Sequence, residues 1–391
     1  MQGAKTSSAP RLIAAVYSGD PSRAEVAYRK LRGAKLGPVA WLKPDGSVVG
    51  DPGQPILRLE GEALVAVRVK PPFVQTAIDI LQSAGAPTIF FLPTKVDERP
   101  EPGPHREPVL TRLRDSKIAL DEAQHELLQA LQLEHALSPS AEWLLDNFHL
   151  AMMQIAEMRR DVPKGFGKRN SPGEADGYLY ACGLTRKLIQ MTDHSVQGST
   201  IQDVLTESQK TRPLTIAQLW SFPLLLRLAL VEELAAFATR VSQNQLIREA
   251  AYFWANRLIV SARRDSETLD SSLAAMEENS LSPNPYFITC LAEQLQDEEA
   301  ALARIQHWLE RLPTSSLEGM VRSEHNREAA ECVSISNAFG SLRTLARVDF
   351  AAIFEATSLT EAELRADPTG VYQRSDFTTR NRCRHVVERL G

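Results

Sequence analysis

The sequence predicts an α+β protein: a small ferredoxin-like α/β module followed by a large all-helical domain. Three observations carry this. Strand-like and helix-like segments alternate through residue 93, residues 94–108 are rich in proline and charge, and helical periodicity runs from Val109 onward with no strand candidate of comparable strength. The expected division is therefore a flexible tail over 1–10, a βαββαβ-type module over 11–93, a linker over 94–108 and a helical domain over 109–391. With 391 residues, 43% hydrophobic and 24% charged, the chain is long enough for two cores and globular in composition.

Arg11–Ser18 (RLIAAVYS) reads as a short strand. Asp20–Pro21–Ser22 is a helix start, and apolar residues at helical spacing follow to Ala34. Residues 37–50 read as two short strands around the turn Pro44–Asp45–Gly46. Residues 62–70 alternate as a strand does, 72–85 are helical and end at Gly85, and APTIFFLP over 86–93 is an apolar strand. The order β-α-β-β-α-β with a hairpin in the middle is that of a split βαβ unit. Lys35 and Gly37 lack the preceding strand that a phosphate loop needs, so the module reads as a regulatory or docking unit without chemistry. Residues 94–108 hold four prolines and seven charges and continue neither element; His105 there is expected to be solvated.

Beyond the linker, residues 119–137 have leucines at three- and four-residue spacing, and Ser138–Pro139 starts a helix with Trp143, Leu144, Phe148, Met152 and Ile155 on one side. Residues 214–240 are apolar nearly all round and are expected to form the central helix. Further helices are expected at 245–263, 285–295, 298–312 and 335–348, and no fixed repeat period appears.

A net charge of -5 with interspersed signs excludes a general pull toward nucleic acid or anionic membrane. No apolar run is long and uninterrupted enough to span a bilayer; the most apolar, 214–230, contains Pro223 and Arg227. Cys182, Cys290, Cys332 and Cys383 lack zinc-ligand spacing and read as reduced thiols in a cytosolic protein. No metal site or cofactor is expected in this chain. Glu324–His325 with Glu328 resembles half of a carboxylate–histidine site, but without a second such helix it reads as a solvated face. Asp193–His194–Ser195 holds the three residue types of a hydrolase triad; adjacent residues cannot converge as a triad must, so it reads as a helix-end turn.

Two stretches are denser in polar groups than packing requires. One is Arg159, Arg160, Asp161 and Lys164, where a helix ends in cations and enters a Pro/Gly loop. The other holds Tyr372, Arg374, Asp376, Arg380, Arg382 and Arg384 after the turn Asp367–Pro368–Thr369–Gly370. Such groups bind sugar hydroxyls or phosphate, or they form a hydrogen-bonded lattice that pins helix ends. Both readings stand on the residues alone, and the candidate binding set is Arg159, Arg160, Asp161, Lys164, Tyr372, Arg374, Asp376 and Arg380, with no catalytic residue assigned.

The same stretches carry a family resemblance. Trp143–Arg169, with Leu-Asp-Asn running into Arg-Arg-Asp-Val-Pro and a Gly/aromatic loop, Pro213–Leu234 with its Leu-Thr-Ile, Leu-Trp and Leu-Arg landmarks, and Ser341–Leu390 with Asp-Pro-Thr-Gly-Val-Tyr, Asp-Phe-Thr-Thr-Arg and Arg-His resemble, in order, three blocks of cyclic β-1,2-glucan synthases. Gly165–Phe166–Gly167 replaces the more usual aromatic pair, and Cys383 replaces an aromatic. The resemblance implies a very large parent at the bacterial inner membrane that uses UDP-glucose as donor, with its catalytic regions outside this chain. This segment would then be a cytoplasmic, non-catalytic N-terminal region whose partners are the transferase and membrane parts of the same polypeptide, with β-glucan as a further partner. The helical domain is expected to continue beyond Gly391. A free-standing glycan- or nucleotide-sugar-binding helical module is the alternative, and an independent helical enzyme a third reading.

Overall fold

The protein is described by a computed structural model over residues 11–17, 20–45, 47–50, 63–92, 108–162, 172–278, 284–310 and 316–390. The tail 1–10, nearly all of the linker, and Lys164 lie outside these residues. The chain divides into two compact units: residues 1–99, 126–138 and 240–329 form the first, and 100–125, 139–239 and 330–391 the second.

The first unit holds strand β1 (Arg11–Tyr17), helix α1 (Pro21–Ala34), strands β2 (Val39–Leu42), β3 (Val48–Gly50) and β4 (Ala63–Val69), helix α2 (Val74–Ser83) and strand β5 (Thr88–Leu92). They form one antiparallel sheet in the order β3-β2-β4-β1-β5. Without the edge strand β3, this is the split βαβ arrangement expected from the sequence, with β4 inserted between β1 and β2. Local chemistry places the helices. Asp20 accepts from the Ser22 amide at 3.1 Å with Pro21 in the first turn, and Gly85 takes φ +72° just after α2. Gly37 lies where a Cβ would come within 1.9 Å of the Arg68 carbonyl oxygen, so no other residue fits that crossing unchanged.

Both faces of the sheet are buried. On one, Ile13, Ala15, Val65, Val67, Ile89 and Phe91 pack under Ala27 and Leu31 of α1 and Ala77, Ile78 and Leu81 of α2. On the other, Leu12, Ala14, Leu42, Leu64, Ala66 and Phe90 join a core built from residues 247–320, including Trp254, Leu258, Phe287 and Leu291. Glu249 reinforces this face. One carboxylate oxygen accepts from the Phe91 amide at 3.4 Å, and the other lies 3.3 Å from His135, whose ring stacks on Phe90. The first compact unit therefore crosses the expected boundary at residue 108. The even-numbered face of β1 is apolar, must be covered, and finds its cover more than 200 residues later.

The helices after the linker are α3 (Val109–Gln132), α4 (Pro139–Asp161), α5 (Pro172–Met191), α6 (Gly198–Thr211), α7 (Ile216–Ala262), α8 (Ser266–Glu278), α9 (Pro285–Gln294), α10 (Glu299–Glu310), α11 (Leu317–Leu345), α12 (Phe350–Thr357), α13 (Leu359–Arg365), α14 (Val371–Arg374) and α15 (Phe377–Leu390). Several differ from the sequence reading. The stretches expected as two helices before and after residue 240 form the single 47-residue α7. Residues 240–245 contain no glycine or proline, and Ser242 and Gln245 are buried with Val241, so the inward stripe continues through polar residues. Helix α3 begins at Val109 rather than near 119, and α11 at Leu317 rather than near 335, because polar residues outnumber apolar ones over 109–118 and 317–334 and regular leucine spacing starts only later. No helix among the described residues is long and apolar enough to cross a membrane.

The core of the second unit is lined by Leu144, Phe148, Ile155 and Met158 of α4, Leu188 and Ile189 of α5, Phe222, Leu226 and Leu230 of α7, and Phe339 and Leu342 of α11, all buried. Within it, buried Arg112 forms a two-pronged pair with Glu232 at 2.6 and 2.7 Å and donates to the Tyr178 hydroxyl at 3.0 Å. Burial opposes this charge, yet the Glu232 contacts outweigh it and hold the guanidinium more firmly protonated than usual.

Candidate functional site

The polar stretch of the third sequence block folds into four short helices, set off from one another by caps and turns. Asp349 caps α12 through the Ala352 amide at 3.0 Å. Ser358 ends α12 and caps α13, its hydroxyl accepting from the Glu361 amide at 3.3 Å. Asp367 holds the following turn, accepting from the Thr369 amide at 3.0 Å and the Thr369 hydroxyl at 2.6 Å, and Gly370 passes through φ +62°. Asp376 then caps α15 through the Thr379 amide at 2.7 Å.

These stops bring two carboxylates and three guanidinium groups together. Glu361 is fully buried. Its Oε2 accepts from the Tyr372 hydroxyl at 2.6 Å and from Arg384 Nε at 2.7 Å, and its Oε1 accepts from Arg365 Nε at 2.7 Å. Glu355 Oε1 accepts from Arg384 Nη2 at 2.7 Å and Arg380 Nη2 at 2.8 Å, while Oε2 accepts from Arg365 Nη2 at 2.7 Å. Arg380 also donates from Nη1 to the Ser375 carbonyl at 2.6 Å. Helical spacing makes this possible: Glu361 and Arg365, and Arg380 and Arg384, stand one turn apart on their helices.

Desolvation pushes both carboxyl groups upward, but the arginine donors, together with the Tyr372 hydroxyl at Glu361, outweigh it and hold them below the usual glutamate range. Burial pushes the Tyr372 phenol up to about 12. Both carboxylates are thus ionised and saturated with donors, which leaves neither poised to pass a proton in this arrangement.

An aromatic group adjoins the lattice. The Arg384 guanidinium lies 5.1 Å from the ring centres of both Phe354 and Phe377. Trp220 of α7 stacks on Phe354 at 4.5 Å and meets Phe377 edge-on at 6.1 Å. Trp220, Leu219, Pro223 and Phe354 help to line a shallow surface depression.

Of the residues named in the sequence, Tyr372, Arg380 and Arg384 belong to the lattice. Arg374 folds back on the Gly370 and Thr369 carbonyls at 3.1 Å each, and Asp376 serves as a cap. Arg159, Arg160 and Asp161 are exposed at the end of α4, and no hydrogen bond or ion pair joins them to the lattice among the described residues. Glu355, Glu361 and Arg365 were missed. They sit in an otherwise ordinary helical stretch, where only the four-residue Glu–Arg spacing marks them.

The other constellations resolve locally. Asp193 and His194 lie in the turn after α5, as expected of a helix end. Glu324 is a correction to the solvated face: it is buried and pairs with Arg327, while His325 meets Glu293 at 2.6 Å. Among the described residues no three His, Cys, Asp or Glu side chains stand within reach of one metal ion, and the four cysteines are free thiols.

No family profile matches the chain. It is similar to the cyclic beta-(1,2)-glucan synthase NdvB of Rhizobium meliloti (strain 1021), with 31% identity over 262 residues, which is 66% of this chain and 9% of that protein. The chain thus spans about a tenth of the length of the curated relative it matches. Its resemblance to cyclic β-1,2-glucan synthases, read from three blocks of sequence, holds.

Proposed function

We propose that this chain serves a cyclic β-1,2-glucan synthase-like glycosyltransferase as a non-catalytic helical region on the cytoplasmic side, packing against the transferase and membrane parts. The observation that carries this reading is the 262-residue likeness to a glucan synthase, combined with how the polar residues of the third block are used. Tyr372, Arg380 and Arg384 are turned onto Glu355 and Glu361 and pin helices to one another. A block spent on internal pinning suits a scaffold. UDP-glucose would be the donor of the whole enzyme, bound elsewhere.

The test supplies the purified chain in trans to membranes that carry a cyclic β-1,2-glucan synthase from which the matching region has been deleted. The expected result is no glucose transfer from UDP-glucose by the chain alone, and recovery of transfer when chain and membranes are combined. Transfer by the isolated chain, or no recovery on mixing, overturns the reading.

A free-standing glycan- or nucleotide-sugar-binding module is the second reading. It is favoured by the exposed Arg159 and Arg160 and by Trp220 and Phe377, aromatic side chains each 36% exposed. Calorimetric titration with β-1,2-glucan and with UDP-glucose decides it; no heat at millimolar ligand removes it.

A further inference from the structure

Trp220 and Phe377 are large rings left partly open to solvent, yet neither is loosely held. Phe354, itself buried, stacks on the indole with centres 4.5 Å apart, and Phe377 meets the indole nearly at right angles at 6.1 Å. Both phenyl rings adjoin the fully buried Arg384 guanidinium, 5.1 Å from each centre, and Glu355 and Glu361 fix that guanidinium in turn. Leu219 and Pro223 of α7 and Ile353 of α12 continue the apolar surface into the shallow depression. All of these groups belong to the second compact unit. Rings fixed before a ligand arrives lose little freedom when one binds.

The polar groups beside the rings narrow the ligand. Asp376 and Thr378 flank Phe377 in sequence, and both are exposed. The Thr379 amide donates to Asp376 at 2.7 Å and, with the Thr379 hydroxyl, holds the carboxyl below the usual aspartate range. An ionised carboxylate has about four acceptor positions, so Asp376 keeps capacity for hydroxyl donors from solvent. The neighbouring cations are engaged or turned away. Arg365, Arg380 and Arg384 are paired with the two glutamates, and Arg374 is folded onto the Thr369 and Gly370 carbonyls. Arg382, two residues before Arg384, stands on the opposite side of α15. A diphosphate arriving here meets the open Asp376 carboxylate. A pyranose ring instead sets its slightly positive C–H groups on the negative faces of the aromatic rings and its hydroxyls toward the acid.

We infer that Trp220 and Phe377 form a stacking platform for a neutral sugar ring, with Asp376 as a hydroxyl acceptor at its rim. This rests on the glycan-binding reading and narrows it, to a neutral glycan over a nucleotide sugar and to this face of α7 and α15.

Calorimetric titration of the whole chain with β-1,2-glucan and with UDP-glucose, on the parent and on W220L, F377L and D376N, tests it. Leucine keeps an apolar side chain beside Phe354 and Arg384 and removes the aromatic face; circular dichroism and thermal unfolding report whether each variant stays folded. The parent is expected to bind glucan more tightly than UDP-glucose, and W220L and F377L are each expected to weaken glucan binding roughly tenfold. D376N still caps α15 through its amide oxygen and is expected to weaken glucan binding about threefold; it carries the test where a leucine variant loses its fold. Glucan binding unchanged in the folded variants overturns the platform and leaves the glycan-binding reading standing, as does tighter binding of UDP-glucose than of glucan for the neutral-ring assignment. No heat from either ligand at millimolar concentration removes both.

Discussion

Glu361 and Arg384 are both fully buried and meet at 2.7 Å, carboxylate Oε2 to guanidinium Nε. The pair lies 23 residues apart in sequence, and a second carboxylate, Glu355, shares the same guanidinium at 2.7 Å. Taking such charges out of water is costly, and the arrangement is retained only because nearly every donor and acceptor finds a partner.

Removing one member alone leaves the other buried and unbalanced. R384A and E361A are each expected to destabilise the second unit by about 3–5 kcal/mol. The double replacement E361L/R384M is expected to cost less than the two single changes added together. Urea unfolding followed by circular dichroism, with hydrogen exchange of the α12–α15 amides, checks both statements. Additive costs would show that the pair is not coupled.

The lowered carboxyl groups set a pH window. Because Glu355 and Glu361 are more acidic when folded, their contribution is present above the ordinary glutamate value of 4.5 and is lost as pH falls through the folded values below it. Exchange protection in α12–α15 is therefore expected to decline below about pH 4.5, and E361Q is expected to flatten that decline.

Two glycines separate backbone crowding from helix propensity. G37A places a methyl group against the Arg68 carbonyl oxygen and is expected to cost roughly 2–4 kcal/mol by pushing the segment before β2 away from β4. G33A, in α1 with nothing within 4 Å of the added carbon, is expected to stabilise by up to about 1 kcal/mol. Thermal unfolding of the two variants beside the parent chain gives the comparison.

The sheet is expected not to stand alone. A fragment of residues 11–93 bares Leu12, Ala14, Leu42, Leu64, Ala66 and Phe90, which residues 247–320 cover in the whole chain. It is expected to bind a hydrophobic dye or aggregate. F90A in the whole chain, which removes the edge-to-face contact with Phe253 at 5.1 Å, is expected to cost about 3–5 kcal/mol. A soluble, cooperatively folded fragment that binds no dye would refute the first statement.

Features governed by near neighbours were open to reading from the residues: the Asp20–Pro21 helix start, the stop at Gly85, the hairpin around Pro44–Asp45, the turn at Asp193–His194 and the helical character beyond Val109. Each depends on a few adjacent groups, a cap, a positive φ or a repeating apolar step, and these are written in local order. Folding alone decided what lies across the sheet from Phe90 and which acids receive Arg380 and Arg384. The reason is physical. A buried charge is tolerable only where its partners converge, and no spacing rule tells Arg384 that its acceptors are Glu361 and Glu355 rather than water. The apolar stripe through buried Ser242 and Gln245 was hidden likewise, since a polar residue reads as surface until its neighbours enclose it.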